Sequence, residues 1–195
     1  MKHKIAGIVL AGGQGARMNN ADKGLQLFKG KELVTHTLER LSPQVDSITI
    51  SANRNIETYR ALGHNVIPDA SSDYNGPLAG VAACLTHLHK QDAHEYAMIC
   101  SCDTPHLYPH LVAELYEALR LSQSSVSVAV VGKQRHNLHC LLHNSVWCSL
   151  IDAYADGVRA MYRWQKSEGC VEADFSQHAT SFTNINTLSE LNNLH

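Results

Sequence analysis

Residues 4–18 read KIAGIVLAGGQGARM, an apolar run that passes directly into a glycine-rich turn, and residues 22–25 follow with DKGL. The apolar run predicts a buried strand. Three glycines in the turn permit positive φ and close approach of the backbone to a ligand, so their N–H groups can point at phosphate oxygens. Arg17 and Lys23 add two cations that suit phosphate. The segment therefore predicts an α/β protein whose first turn wraps around a phosphate chain.

Two well-known phosphate motifs are excluded. The third glycine of G-x-G-x-x-G is missing after Gly15, and G-x-x-x-x-G-K-[ST] does not occur in the chain. A glycine-rich corner between a strand and a helix also needs no ligand. The spacing of Arg17 and Lys23 beside the turn favours the phosphate interpretation.

The composition of the chain limits which partners it can bind and in which cellular compartment it is expected. The chain has 195 residues and a formal net charge of −2, so no basic field indicates nucleic acid. No apolar run has the length of a membrane span. The apolar stretch 5–11 after Lys2 and Lys4 is too short and glycine-flanked for a secretory signal. We expect a cytoplasmic protein with neither nucleic-acid nor membrane partners.

The cysteines and histidines do not form a known metal motif. The six cysteines include no C-x-x-C pair, so a zinc ribbon or a thioredoxin-like site is not indicated. Cys100 and Cys102 stand beside Asp103, where reduced small residues at a strand end are the favoured interpretation. His106 and His110 lack the glutamate of H-E-x-x-H, and most of the 13 histidines are expected on the surface.

Apolar runs alternate with helical patterns along the chain, which predicts an α/β fold with a largely parallel sheet in one domain, 1–195. The expected strands are 4–10, 47–52, 65–68, 95–102, 125–131 and 138–143. The expected helices are 34–42, 54–62, 77–90, 108–121, 145–155, 157–166 and 187–194.

Polar side chains follow several of these strands. Ser51 ends the second strand, Asp69 follows the third, and Asp103 follows the fourth. Ligands of open parallel sheets bind outside the carboxyl ends of the strands, so these residues are expected near the glycine turn. For Asp69 alone, a role as a turn former or helix cap is an equal alternative.

Asp103 is the candidate metal ligand. It follows the apolar strand Tyr96–Cys100, and Mg²⁺ in phosphate sites is held by few carboxylates together with substrate phosphates. The alternative is an N-cap for the helix after Pro105. Residues 75–80, NGPLAG, open a further helix, whose N-terminus either receives an anion or is a plain helix start.

These motifs together resemble the molybdenum cofactor guanylyltransferase family. The matching motifs cover nearly the whole chain: residues 10–13 with Arg17-Met18 and Asp22-Lys23-Gly24, then 73–80, 102–105 and 184–187. The resemblance implies a three-layer α/β fold of the nucleotide-diphospho-sugar transferase type, related to the Rossmann folds, with a mostly parallel mixed sheet.

The resemblance also implies an activity. GMP would pass from GTP to the phosphate of molybdenum-bound molybdopterin, with release of pyrophosphate and with Mg²⁺, or alternatively Mn²⁺, as cofactor. A molybdenum-insertion protein and molybdoenzyme apoproteins are implied as partners. Alternatives are a related nucleotidyltransferase using CTP or a sugar phosphate, and a non-catalytic nucleotide or cofactor carrier.

Site residues carry over position by position. Arg17, Lys23 and Asp103 are the expected catalytic residues, Asp103 is the expected metal ligand, and Asn184 and Asn186 are expected to bind molybdopterin. Three positions depart from the family pattern: Ser51 stands where Asn is usual, and Asn137 and Leu188 stand where Pro is common. The expected GTP-binding residues are Leu10, Ala11, Gly12, Gly13, Lys23, Ser51, Asp69 and Asp103.

Overall fold

The computed structural model describes residues 4–12, 22–69 and 76–185. Within these ranges no helix is both long and apolar enough to cross a membrane. The strands are β1 (Ile5–Leu10), β2 (Leu27–Phe28), β3 (Lys31–Glu32), β4 (Ser47–Ser51), β5 (Asn65–Ile67), β6 (Tyr96–Ser101), β7 (Val126–Val131), β8 (Gln134–His143) and β9 (Val171–Asp174). The helices are α1 (Leu33–Leu41), α2 (Ile56–Arg60), α3 (Pro77–Gln91), α4 (Leu111–Ser122), α5 (Trp147–Ala155) and α6 (Met161–Glu168).

The main sheet has seven strands in the order β5-β4-β1-β6-β8-β7-β9. β8 runs antiparallel to both of its neighbours, and the other pairings are parallel. The expectation of a mostly parallel, mixed sheet is therefore confirmed. Leu10 at the end of β1 is in register with Ser51 on one side and Ser101 on the other, so three strands end at one level.

Successive side chains along each strand point to opposite faces of the sheet, so the core has two halves, one on each face. On β1, Val9 packs with α1 and α4, whereas Ile8 packs with α3, α5 and α6. The neighbouring strand β6 repeats this division with Met98 and Ile99. Period-2 alternation of buried residues on both faces requires helices above and below the sheet. The three-layer expectation is confirmed.

Several elements differ from the sequence prediction. The short hairpin β2–β3 and the edge strand β9 were not predicted, since two-residue strands carry no periodicity and β9 exposes both of its acidic residues. β8 begins at Gln134 rather than 138, and α2 is confined to Ile56–Arg60. The predicted helix 187–194 lies outside the described residues.

Helix α3 lies close against the end of β4. Gly80 on α3 is buried, and a Cβ built there would overlap the Oγ atom of Ser51 and lie 3.2 Å from its Cβ. Glycine inside a helix is normally unfavourable, by about 1 kcal/mol relative to alanine. The close contact with Ser51 accounts for glycine at this position.

We expect Gly80→Ala to lower the free energy of unfolding by about 1–3 kcal/mol, because the added methyl group overpacks the contact between α3 and β4. Urea denaturation measures this change. The double variant Gly80→Ala/Ser51→Ala should recover part of the loss, since it removes the overlapping oxygen. A Gly80→Ala protein as stable as the wild type would contradict this account of the packing.

Candidate nucleotide-transfer site

The turns that follow the central strands are joined by backbone hydrogen bonds. Ala11 N donates to Ser51 O at 2.8 Å, and Cys102 N donates to Leu10 O at 3.1 Å. The turns after β4, β1 and β6 therefore lie side by side at the carboxyl edge of the sheet, where open α/β sheets bind ligands. The described candidates at or beside this edge are Leu10, Ala11, Gly12, Lys23, Ser51, Asp69 and Asp103.

An ion pair links two of these candidates across the site. Lys23 Nζ contacts Asp103 Oδ2, and the Asp103 side chain is buried while Lys23 remains partly exposed. A buried carboxylate needs a compensating positive charge, because desolvation strongly disfavours an isolated anion. The pair brings a 3-10 turn, Lys23–Leu25, against the loop after β6.

Asp22 fixes the backbone next to Lys23. Its carboxylate accepts hydrogen bonds from Tyr59 Oη at 2.6 Å, Asn55 Nδ2 at 3.0 Å and Gly24 N at 3.2 Å. Tyr59 is fully buried on α2, and a Cβ on Gly24 would lie 2.5 Å from its hydroxyl oxygen. Burial and the neighbouring Asp22 carboxylate raise the pKa of Tyr59, so its hydroxyl stays protonated and donates. Lys23 is therefore flanked by an anchored residue on each side.

The turn that carries Asp103 is held from two directions. Thr37 Oγ1, on α1, lies 3.2 Å from Cys102 O and 3.4 Å from Thr104 O. Ile185 N donates to the carbonyl oxygen of Asp103 at 3.1 Å. Ile185 is itself buried in a small cluster with Phe28 and Leu33. These contacts bring the segment that contains Asn184 next to the Lys23–Asp103 pair.

Comparison with known proteins assigns this arrangement to a family. The profile of the MobA-like NTP transferase domain matches residues 7–170, which is most of the chain. The chain belongs to the MobA-like NTP transferase family. Its chemistry is therefore nucleotidyl transfer, as the resemblance of its motifs implies.

Relatives within the family match over almost the full length. A protein from Mannheimia succiniciproducens named molybdenum cofactor guanylyltransferase is 37% identical over 96% of this chain and 97% of its own. A protein of the same name from Bordetella pertussis is 38% identical over 99% of this chain and 98% of its own. The family resemblance expected from the motifs is confirmed.

A solved structure of molybdopterin-guanine dinucleotide biosynthesis protein A from Archaeoglobus fulgidus superposes with a TM-score of 0.75. It covers 96% of this chain and 95% of the other, at 22% identity. At that identity the likeness demonstrates the fold alone, and it agrees with the expected nucleotidyltransferase architecture.

One buried oxygen atom of the site is a candidate ligand for a metal ion. In this member of the MobA-like NTP transferase family, Asp103 Oδ1 is buried and makes no hydrogen bond to any described residue. The described ranges also contain no group of three or more His, Cys, Asp or Glu that could hold a metal. A single carboxylate with an unused oxygen fits Mg²⁺, which is usually bound by one or two carboxylates plus substrate phosphates.

The opposite side of the site contains Asp69 and Ser51. Asn53 Oδ1 accepts a hydrogen bond from Asp69 N at 2.9 Å, and Asn53 Nδ2 faces Gly12. Ser51 is buried against Gly80, and its hydroxyl is hydrogen-bonded to Cys84, whose pKa burial raises to about 12. Asn53 therefore connects two of the expected GTP-binding positions, although the sequence analysis did not select it.

Three expected site residues lie outside the described ranges, namely Gly13, Arg17 and Asn186. Lys23 contacts Asp103, and Asn184 precedes Ile185, which donates to the backbone of Asp103. Ser51 ends the strand one place away from β1, and Asp69 follows the strand two places away. Asn184 is exposed. The binding roles of all these residues stay predictions.

A buried histidine near Asp103 was also missed by the sequence analysis, which expected surface histidines. His139 Nε2 lies 3.0 Å from Thr104 Oγ1, and the residue is almost completely buried. Burial lowers its pKa to about 4; the nearby His136 adds to the lowering and Asp103 opposes it. β8 contains three histidines, and no local signal distinguishes the core position of His139 from the other two.

The lowered pKa predicts a pH-dependent stability. The unfolded chain binds a proton at His139 below about pH 6.5, whereas the folded chain resists protonation until about pH 4. Stability from this group is therefore complete above pH 6.5 and is lost as the pH falls towards 4, by up to about 3 kcal/mol. His139→Gln should flatten the unfolding free energy against pH in this window, measured by urea denaturation. Parallel curves for the variant and the wild type would contradict the assignment.

Proposed function

We propose that the chain transfers GMP from GTP to the terminal phosphate of molybdenum-bound molybdopterin, forming molybdopterin guanine dinucleotide and releasing pyrophosphate. Relatives named molybdenum cofactor guanylyltransferase, 37–38% identical over nearly the whole chain, support GTP and molybdopterin as substrates. The observation that carries the proposal is the hydrogen bond from Ile185 N to Asp103 O. It joins the segment of the expected acceptor residue Asn184 to the turn that carries the carboxylate expected at the nucleotide phosphates.

The reaction needs charge control more than proton transfer. A terminal phosphate oxygen of molybdopterin attacks the α-phosphorus of GTP, and the bond from that phosphorus to the α,β-bridging oxygen breaks. The electron pair leaves with pyrophosphate. Because the nucleophile is already an anion, no strong general base is required. Catalysis then rests on bringing two anions together and on stabilising charge at the α-phosphate and the leaving group.

The residues divide this work. Lys23, held in place by Asp22, would neutralise negative charge near the α-phosphate. Arg17 and the amides of the glycine turn, including Gly12 and Gly13, would bind the β- and γ-phosphates, since arginine suits bidentate phosphate contacts. Asp69, with its amide fixed by Asn53, would accept hydrogen bonds from guanine or ribose.

Asp103 would hold the divalent cation, Mg²⁺ or Mn²⁺. When bound, the ion supplies Lewis-acid stabilisation of phosphate charge. The proposed metal role is supported by the unused Oδ1 oxygen and by the position of Lys23 on the other oxygen of the same carboxylate. Because Lys23 contacts Oδ2, Oδ1 would be the oxygen that binds the ion.

The remaining assignments follow from the same proposal. Asn184 and Asn186 would bind molybdopterin. A molybdenum-insertion protein and molybdoenzyme apoproteins would supply the acceptor and receive the product. The reaction would take place in the cytoplasm.

The decisive experiment offers the purified protein molybdopterin, molybdate and Mg²⁺ with GTP, CTP, ATP or UTP in turn. We expect pyrophosphate release with GTP to exceed release with each other nucleotide at least tenfold, and mass spectrometry to identify the guanine dinucleotide. Preference for CTP would establish a cytidylyltransferase instead. Turnover only with a sugar phosphate as acceptor would contradict the molybdopterin assignment, and binding without pyrophosphate release would indicate a carrier.

A variant of the carboxylate tests the metal role. Asp103→Asn keeps the size of the side chain but removes the charge that would hold the cation beside Lys23. We expect guanylyl transfer to fall at least about 100-fold, a barrier increase of about 2.7 kcal/mol. Steady-state rates at saturating GTP and Mg²⁺ measure the effect.

Asp152→Asn, at an exposed position on α5, is the matched control and should retain the wild-type rate. Both variants should show the circular dichroism spectrum of the folded protein. An Asp103→Asn enzyme that works within threefold of the wild type would remove Asp103 from the catalytic set.

A further inference from the structure

His139 is a buried polar residue that the proposed reaction does not use. It lies on β8, where the neighbouring residues Cys140 and Leu141 are fully buried. A hydrocarbon side chain would fill such a position without the cost of removing an imidazole from water. The contacts of its nitrogen atoms and of its ring explain why an imidazole occupies this position.

The polar contact leads to the turn that carries Asp103. Thr104 Oγ1 lies 2.9 Å from Ser101 O and 3.0 Å from His139 Nε2. A carbonyl oxygen only accepts, so the single hydroxyl proton of Thr104 goes to Ser101. His139 must then donate its Nε2–H to the Thr104 hydroxyl. The imidazole thereby fixes the side chain that closes the turn from Ser101 to Thr104.

The ring of the same residue contacts the C-terminal segment. Its centroid lies 5.5 Å from that of Phe182 at an interplanar angle of 75°, an edge-to-face contact. The ring of His136 also packs on Phe182, with 4.9 Å between the two ring centroids. Phe182 is buried at the end of the 3-10 helix Ser176–Phe182, two residues before Asn184. His139 thus contacts Thr104, next to Asp103, and Phe182, two residues before Asn184.

We propose that His139 is a positioning residue, which holds the Asp103 turn and the Asn184 segment at a fixed separation through its Nε2–H bond to Thr104 and its packing on Phe182. This inference rests on the proposed function, because it assigns the two segments to the nucleotide and to the acceptor. Transfer between two bound anions requires in-line placement, and a misplacement of about 1 Å can cost about 100-fold in rate. His139 is well placed to control that separation without touching either substrate.

Two substitutions separate this role from plain packing. His139→Leu keeps apolar bulk but removes the donor, and His139→Gln keeps an N–H donor of similar reach. For the leucine variant we expect kcat to fall at least tenfold and the KM for molybdopterin to rise, with the KM for GTP changed less than twofold. The glutamine variant should recover kcat to within about threefold of the wild type.

Leu142→Val is the matched control for lost packing, since Leu142 is fully buried on the same strand and packs in the other half of the core. It should lower the melting temperature and leave both KM values and kcat unchanged. A leucine variant at 139 that behaves like this control would overturn the proposal, and so would a glutamine variant as slow as the leucine one.

A binding measurement tests the role of His139 independently of which nucleotide the protein uses in turnover. Each protein is saturated with the α,β-methylene analogue of GTP and Mg²⁺, and molybdopterin affinity is followed by pterin fluorescence. We expect the leucine variant to bind at least fivefold more weakly than the wild type and the glutamine variant. Equal affinities in all three would overturn the positioning role. A wild type that binds normally but prefers another nucleotide in turnover would refute the GTP proposal alone.

Discussion

The Lys23–Asp103 ion pair is the interaction on which the arrangement of the site depends. It joins segments that are 80 residues apart in the chain, and both ends are fixed by other contacts. Tyr59 and Asn55 hold the residue before Lys23, while Thr37 and Ile185 hold the backbone around Asp103. Removing one partner of such a pair leaves a buried charge uncompensated, which costs far more than the pair itself contributes. The surrounding hydrogen bonds therefore matter because they keep the two charges in contact.

The sheet supplies the frame for this pair. β1, β4 and β6 end in register, so the turns that follow them start from one level and are joined through Ala11 and Cys102. Both faces of these strands are covered by helices, and a shift of one residue would move every side chain into the opposite half of the core, where it would meet the wrong neighbours. The position of Asp103 is consequently set by the packing of Met98, Ile99 and Cys100 in the core.

Much of this frame follows from the sequence, because apolar periodicity is a local signal. The run from Ile5 to Leu10 and the glycine turn after it predict a central strand and a ligand-binding edge, and Asp103 is recognisable as a carboxylate at a strand end. The long-range contacts are different. Nothing local indicates that Tyr59 reaches Asp22, that Asn53 reaches Asp69, or that a histidine of β8 is turned inward. Such polar residues within an apolar or helical pattern acquire their role only when the fold brings a distant partner to them.

The residues that the sequence did not indicate share one chemical property, which is that they carry no charge. Of these neutral residues, Thr37, Thr104 and His139 hold the turn that carries Asp103, and Tyr59 holds Asp22 beside Lys23. Neutral groups fix geometry without altering the charge balance that Lys23 and Asp103 establish. Further carboxylates at these positions would repel the phosphates that the proposed reaction must bring together. Around the Asp103 turn itself, the hydrogen bonds from Thr37, Thr104 and His139 are all uncharged, so the ion pair with Lys23 sets the charge there.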